Sequence, residues 1–259
     1  MADSVHPPDP APPLWPARDL ALFLDLDGTL LDFAETPDRV DVPASLPQVL
    51  MDLAALLGGA VAILSGRPIG AIEALLGATP IALSGVHGAE IRILGESPRS
   101  FAPKIPDALR QEVLALADRW PKLLIEDKGA AIAVHVRQAA ELSGAVADSL
   151  QRLVRRFGPD HQVMAGHAVF EIKSRTCSKG TALREFMRQR PFAARLPVFL
   201  GDDTTDEDGF AAAAALGGHG IAVGARPSLA AHWRLPGPTE ARRWLGNLAA
   251  QGLHQFPAV

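Results

Sequence analysis

The stretch Leu20-Ala21-Leu22-Phe23-Leu24-Asp25-Leu26-Asp27-Gly28-Thr29 decides the reading of this chain. Five consecutive apolar residues show no alternation, which is the pattern of a strand covered on both faces, as in a parallel sheet. Polarity then begins abruptly. Asp25 and Asp27 are two residues apart, so an extended backbone turns both carboxylates to one side. Gly28 lets the chain turn sharply behind them. Two close carboxylates repel unless a cation or a shared proton relieves them. Hard oxygen donors suit Mg2+, which takes one or two carboxylates and keeps positions for water and phosphate oxygens. In isolation the favoured reading of the same residues is a strand end opening into a turn.

Two further apolar runs end in the same way. Val61-Ala62-Ile63-Leu64 leads into Ser65-Gly66-Arg67, and Leu196-Pro197-Val198-Phe199-Leu200 leads into Gly201-Asp202-Asp203-Thr204-Thr205-Asp206-Glu207. In an open α/β sheet ligands bind outside the carboxyl ends of the strands, so the three polar clusters are expected to converge on one edge. Asp202 then joins Asp25 and Asp27 as a candidate metal ligand, with Asp203 and Asp206 behind it. Asp206 and Glu207 equally suit the N-terminus of a following helix through its dipole. Ser65 reads either as a helix cap before Pro68 or as a hydroxyl that hydrogen-bonds a phosphoryl oxygen. Lys179 falls in the first turn of a helix that follows Ser178, where a cation opposes the dipole unless an anion lies nearby. That mismatch favours a lysine facing phosphate.

Between these runs Leu46, Val49, Leu50, Leu53 and Leu57 recur at helical spacing and Gly58-Gly59 ends the helix. Ile81-Ala82-Leu83 reads as a third strand, Phe210–Leu216 as a helix and Gly220–Val223 as another strand. The alternation predicts a doubly wound, Rossmann-like α/β core over residues 19–92 and 174–259. Residues 93–173 break the pattern. Lys122–Glu126 and Ala131–Arg137 read as strands about a turn, Gln162–Ala165 and Ala168–Lys173 as another hairpin, with helices around Leu109 and Val146–Phe157. This predicts an inserted antiparallel α+β unit. On its strands Ile132, Val134, Val136, Phe170 and Ile172 share the apolar sides, and His135, Arg137, Glu171 and Lys173 the polar ones. Residues 1–18 contain six prolines and are expected to form a mobile tail.

Composition narrows the function. At 259 residues, 48% hydrophobic and 21% charged, the chain is long and apolar enough to fold around a substantial core. A net charge of −4 gives no basic surplus for nucleic acid. One cysteine, Cys177, excludes an internal disulfide framework, and the absence of tyrosine excludes tyrosine chemistry. No apolar run reaches the length of a membrane helix and no secretory signal is read at the N-terminus. A cytoplasmic monomer acting on a small molecule, without nucleic-acid or membrane partners, is expected.

Taken in order, Asp25-x-Asp27-Gly28-Thr29, Ser65, Lys179 and Gly201-Asp202-Asp203 resemble the motifs of the haloacid dehalogenase-type phosphohydrolases. The resemblance implies Asp25 as nucleophile and Asp27 as general acid and base. It implies Mg2+ held by Asp25, the carbonyl of Asp27 and Asp202, with Ser65 and Lys179 balancing charge on the phosphoryl group. From about Leu20 to Leu248 the chain is similar to the trehalose-6-phosphate phosphatase family. The similarity runs through Gly85-Val86-His87-Gly88-Ala89-Glu90, Glu126-Asp127-Lys128-Gly129, His135-Val136-Arg137 and Glu171-Ile172-Lys173. It implies that the insert is a cap, that Glu126, Lys128, Arg137, Glu171 and Lys173 contact the disaccharide, and that Arg67 and His87 lie near the seam between core and cap. Val136 stands where that family commonly has an aromatic residue, and a packing change in the cap core is expected. The implied activity is hydrolysis of trehalose 6-phosphate through an aspartyl-phosphate. The alternatives are a phosphatase of another sugar phosphate, such as sucrose or hexose phosphate, a phosphomutase, and a non-catalytic sugar-phosphate sensor.

Overall fold

A computed structural model describes residues 11–33, 40–77, 79–166 and 168–253. Strand β1 (Leu20–Leu24) lies inside an eight-stranded sheet, with every residue buried. It is flanked by β2 (Val61–Leu64) and β10 (Leu196–Gly201), both parallel to it. Leu24 is level with Ile63 on one side and Leu200 on the other, so the three polar clusters emerge at one edge. Parallel strands β3 (Ala82–Gly85), β11 (His219–Val223) and β12 (Trp233–Leu235) extend the sheet. Two short antiparallel strands, β4 (Glu90–Arg92) and β5 (Arg99–Ser100), close one side. This is the α/β core expected from the unbroken apolar runs.

Helices α1 (Leu46–Leu56) and α8 (Pro238–Leu253) pack together, as do α6 (Lys179–Met187) and α7 (Glu207–Ala215). Helix α2 (Ile69–Leu76) follows β2. Phe23, Phe186 and Phe192 form one aromatic knot, with centroids 5.2 to 6.1 Å apart, and Phe199 meets Phe210 edge-on at 5.4 Å. Such burial, at roughly 25 cal/mol per Å² of apolar surface, is the main force holding the strand ends in place.

The chain leaves the large sheet after Ser100 and builds a second sheet, β6 (Leu124–Asp127), β7 (Ala131–His135), β9 (Val169–Ser174) and β8 (His161–Gly166), antiparallel throughout. Helices α3 (Asp107–Leu114), α4 (Leu116–Arg119) and α5 (Ser143–Phe157) accompany it. Leu109, Val113, Ile132, Val134, Val136, Val146, Leu150, Val154 and Ile172 form a separate apolar cluster. Val146, Leu150 and Val154 recur every fourth residue and face it, while Arg152, Arg155 and Arg156 are exposed. Val136 belongs to this cluster, as expected.

Some elements differ in extent from the reading of the sequence. The strand expected over Ala131–Arg137 ends at His135, because Val136 leaves the extended region (φ −110°, ψ 10°) and a 3-10 turn, Arg137–Leu142, begins. Strands β4, β5 and β12 are two or three residues long and have no sequence signature. Within the proline-rich segment, Trp15 stacks on His219 at 4.9 Å and Ala17 is buried in the large core. Residues 1–10 of the expected tail and His167, where a turn is expected, lie outside the described residues.

Candidate active site

Asp25 sits one residue beyond β1, buried, with its N–H donating to Leu200 O at 2.9 Å. One carboxylate oxygen accepts from Lys179 Nζ at 2.5 Å and the other from Thr29 Oγ1 at 3.0 Å. Thr29 Oγ1 also lies 3.1 Å from Asp202 Oδ1. One hydroxyl proton serves one acceptor at a time, so Thr29 links the two carboxylates without neutralising either. Lys179 is brought in by α6, whose N-terminus is fixed by a capping box between Ser178 and Thr181. Its ammonium also donates to Asp206 Oδ1 at 2.6 Å. The lysine that opposes its helix dipole thus lies between two anions.

Asp206 is fully buried, and its second oxygen accepts the N–H groups of Asp202 (3.0 Å) and Asp203 (2.9 Å). Both of its oxygens are therefore engaged in orienting Lys179 and the turn after β10. Asp25, Asp202 and Asp206 have carboxylate oxygens within 4.8 Å of one another. Burial pushes Asp25 up to about 7 against the pull of Lys179, and it pushes Asp202 and Asp206 up to about 6. Lys179 is raised as well, because Asp206 and Asp25 outweigh its burial and hold it protonated. Three carboxylates against one ammonium leave excess negative charge in an all-oxygen pocket, which fits a hard divalent cation. Gly28 is required here. It has φ +84°, and a Cβ on it would lie 2.3 Å from Asp202 Oδ2.

Asp27, the second acid of the opening motif, is gripped by Arg67, whose Nε and Nη2 donate to its two oxygens at 2.7 Å each. Such a bidentate fork is the strongest form of this pair. Ser65 is buried and its Oγ accepts the N–H of Arg67 at 3.1 Å. It does not cap α2, whose cap position is Pro68. Asp203 caps the 3-10 turn Thr204–Asp206.

The polar side of the second sheet meets this edge. Glu171 is buried between His87 Nε2, 2.8 Å from Oε2, and Lys128 Nζ, 3.2 Å from Oε1. Lys128 also donates to Gly66 O at 3.1 Å. His87 holds a left-handed backbone (φ 52°), and its N–H donates to Ser65 O at 3.0 Å. Burial holds its imidazole below the usual range against the attraction of Glu171. Its buried Nδ1 has no partner among the described residues, so a proton there would be unsatisfied. Both features describe a neutral ring donating from Nε2. Burial alone would raise Glu171, but His87 and Lys128 bring it down to about 2.

The remaining expected sugar contacts are dispersed. Glu126 pairs with His135 within the second sheet at 3.4 Å, and Arg137 is exposed at the start of the turn after β7. Lys173 is buried and donates to Cys177 O at 2.9 Å, bracing the segment that returns to α6. Sequence reasoning gave Thr29 no role although it is part of the opening motif. It passed over Arg226, which lies in a loop without a recognisable pattern and bonds to the carbonyls of Asp202 and Asp203.

Fold and site together define a class. An 18% identical structure, a phosphatase of the haloalkanoate (HAD) enzyme superfamily from Bacteroides thetaiotaomicron, aligns over 92% of this chain and 95% of its own with a TM-score of 0.61. The C-terminal domain of a Candida albicans trehalose-6-phosphate phosphatase, 22% identical, aligns over 90% and 93% with a TM-score of 0.78. The chain therefore shares its fold with these structures, a Rossmann-like α/β core carrying a separate antiparallel unit.

The family model for trehalose-phosphatase matches residues 23–234. A probable trehalose-phosphate phosphatase of Sinorhizobium fredii is 39% identical over 234 residues, covering 90% of this chain and 88% of that one. The trehalose-6-phosphate phosphatase of Escherichia coli is 39% identical over 229 residues, covering 87% and 85%. The chain belongs to the trehalose-phosphatase family, phosphoric monoester hydrolases of trehalose biosynthesis. Among the described residues no helix is long and apolar enough to cross a membrane.

Proposed function

We propose that this protein hydrolyses trehalose 6-phosphate to trehalose and phosphate, with Asp25 as the phosphoryl acceptor. The observation that carries the reading is a buried carboxylate at a strand end, held by a lysine and facing a second carboxylate, beneath the polar side of a second sheet. A carboxylate oxygen of Asp25 attacks phosphorus in line, the bond to the sugar oxygen breaks, and Asp27 protonates that oxygen as it leaves. Asp27 then takes a proton from the water that attacks the aspartyl-phosphate, which restores both acids. Before it can act Asp27 must leave the Arg67 fork, so substrate entry and the rearrangement of Arg67 belong to one event. Lys179 and Ser65 offset charge on the transferring oxygens.

The cation we assign is Mg2+, because every candidate donor is oxygen. Asp25, the carbonyl of Asp27 and Asp202 would hold it, and it would supply charge neutralisation at the phosphoryl oxygens. Asp203 and Asp206 support that loop. The second sheet acts as the cap, with Lys128 and Glu171 addressing sugar hydroxyls, His87 and Arg67 at the seam, and Glu126, Arg137 and Lys173 as further candidates. The partner is thus a small-molecule sugar phosphate. A reducing, cytoplasmic setting agrees with the free thiol of Cys177. We take the enzyme to be a monomer, which light scattering tests.

The deciding experiment is phosphate release from trehalose 6-phosphate, sucrose 6-phosphate and glucose 6-phosphate, with and without chelator. The expected result is a kcat/KM for trehalose 6-phosphate at least about 100-fold above the others, abolished by chelator and restored by Mg2+. Equal turnover of all three overturns the substrate, and full activity in chelator overturns the metal.

A further inference from the structure

The loop after β11 is bonded to the acidic turn that follows β10. Arg226 Nε donates to Asp202 O at 3.1 Å, and Nη2 donates to Asp203 O at 2.9 Å and to Glu207 Oε1 at 2.7 Å. The N–H groups of the same two residues are held by Asp206 Oδ2. Asp202 and Asp203 are therefore gripped from both sides, by an anion on the amides and a cation on the carbonyls. What remains unclamped is the Asp202 carboxylate, whose one oxygen meets Thr29 and whose other oxygen lies against Gly28.

Arg226 is itself held. Glu207 Oε2 accepts from Ser228 Oγ at 3.1 Å and from the N–H groups of Leu229 and Ala230 at 3.3 Å each. Arg234 Nη1 donates to Gly224 O and Arg226 O at 2.8 Å each. The guanidinium also brings positive charge behind a turn that carries Asp202, Asp203, Asp206 and Glu207 within six residues. A planar guanidinium can bond two carbonyls and a carboxylate at once, whereas an ammonium cannot reproduce that fan.

We propose that Arg226 is a positioning residue for Asp202, which fixes the carboxylate where a divalent cation binds and so sets cation affinity, not sugar recognition. This rests on the reading of Asp202 as a metal ligand given above. It concerns a residue that holds the backbone behind a candidate ligand, not a candidate ligand atom, and that no motif singles out.

The test compares wild type, Arg226→Gln and Arg226→Lys by two readouts: Mn2+ binding followed by electron paramagnetic resonance of the free ion, and the Mg2+ concentration giving half-maximal phosphate release. Groups that orient metal ligands commonly contribute about 10- to 100-fold in affinity. Both midpoints should rise at least about tenfold in Arg226→Gln and by less in Arg226→Lys, with KM for trehalose 6-phosphate unchanged and kcat at saturating Mg2+ within about threefold. Unchanged Mn2+ affinity in folded Arg226→Gln overturns the proposal, as does an equal loss of kcat at every Mg2+ concentration. Should the Gln variant not fold, the Lys variant decides, and an unshifted midpoint there overturns it. A wild type that neither binds Mn2+ nor responds to Mg2+ refutes the metal assignment itself and is distinguishable from either result.

Discussion

Replacing Glu171 by Gln probes the seam between the two sheets, because this carboxylate joins His87 of the core to Lys128 of the second unit. Its pKa falls from 4.5 to about 2, and at 1.36 kcal/mol per unit that sets a ceiling of about 3.4 kcal/mol. A neutral His87 removes part of the attraction, which leaves about 2 kcal/mol. The side chain is 8% exposed, so solvent screening takes little more. For a protein of this size a loss of about 2 kcal/mol lowers Tm by roughly 4–8 °C. The sign with pH follows from a depressed carboxylate. Its contribution is complete above about 4.5, the ordinary value, and is lost as pH falls from there towards about 2. Urea unfolding of wild type and Glu171→Gln should therefore show a full gap at pH 7 that narrows measurably by about pH 3.5. A gap that does not change with pH would show that shape rather than charge is responsible. A gap below about 0.5 kcal/mol at pH 7 would show that the contact is not made in solution.

Other outcomes follow from the strand ends. Asp25→Asn should lower turnover on the order of 10⁴-fold or more in a phosphate-release assay, since the acceptor is gone. Burial raises the Asp25 pKa to about 7, so ionising it destabilises the metal-free fold increasingly as pH rises from about 4. Metal-free Asp25→Asn should consequently melt no lower than wild type at pH 8, and a large drop in Tm would contradict the burial argument. Gly28→Ala puts a methyl 2.3 Å from Asp202 Oδ2 at φ +84°. It should raise the Mg2+ requirement and cost about 1–2 kcal/mol in backbone strain alone. Wild-type Mg2+ dependence in that variant would refute the role given to Asp202.

The core was legible because parallel strands covered on both faces leave unbroken apolar runs, and the chemistry begins where those runs stop. Leu20–Leu24, Val61–Leu64 and Leu196–Leu200 each announced both a strand and the polar turn behind it. Lys179 was legible for another reason: it stands against its own helix dipole, and Asp25 and Asp206 supply the anions that explain it. What stayed hidden is partnership across distance in the chain. Nothing local tells that Arg67 will fork onto Asp27 forty residues away, or that Arg226 will hold the carbonyl of Asp202. The polar side of β9 was visible as alternation, yet Glu171 and Lys173 take different hydrogen-bond partners, one at the seam and one at Cys177. Alternation fixes a face but not a partner.

The seam also bears on selectivity. Glu171, Lys128, His87 and the carbonyl of Gly66 satisfy one another, so no charge among these four is left without a partner. Under the proposed function, a ligand entering between the sheets would have to replace those bonds with its own hydroxyls, and each buried polar group left unmatched costs about 1–3 kcal/mol. A second sugar ring can supply the replacements, whereas a monosaccharide phosphate that reaches Asp25 but not the second sheet cannot. Sites built this way reject analogues lacking the hydrogen-bonding group far more strongly than apolar pockets reject a missing methylene. Gly66 joins the two requirements. Its carbonyl takes Lys128 from the second sheet, while on either side of it the Ser65 hydroxyl accepts the Arg67 N–H and Arg67 forks onto Asp27, so under the proposed function a shift of that one turn would alter sugar recognition and phosphoryl chemistry together.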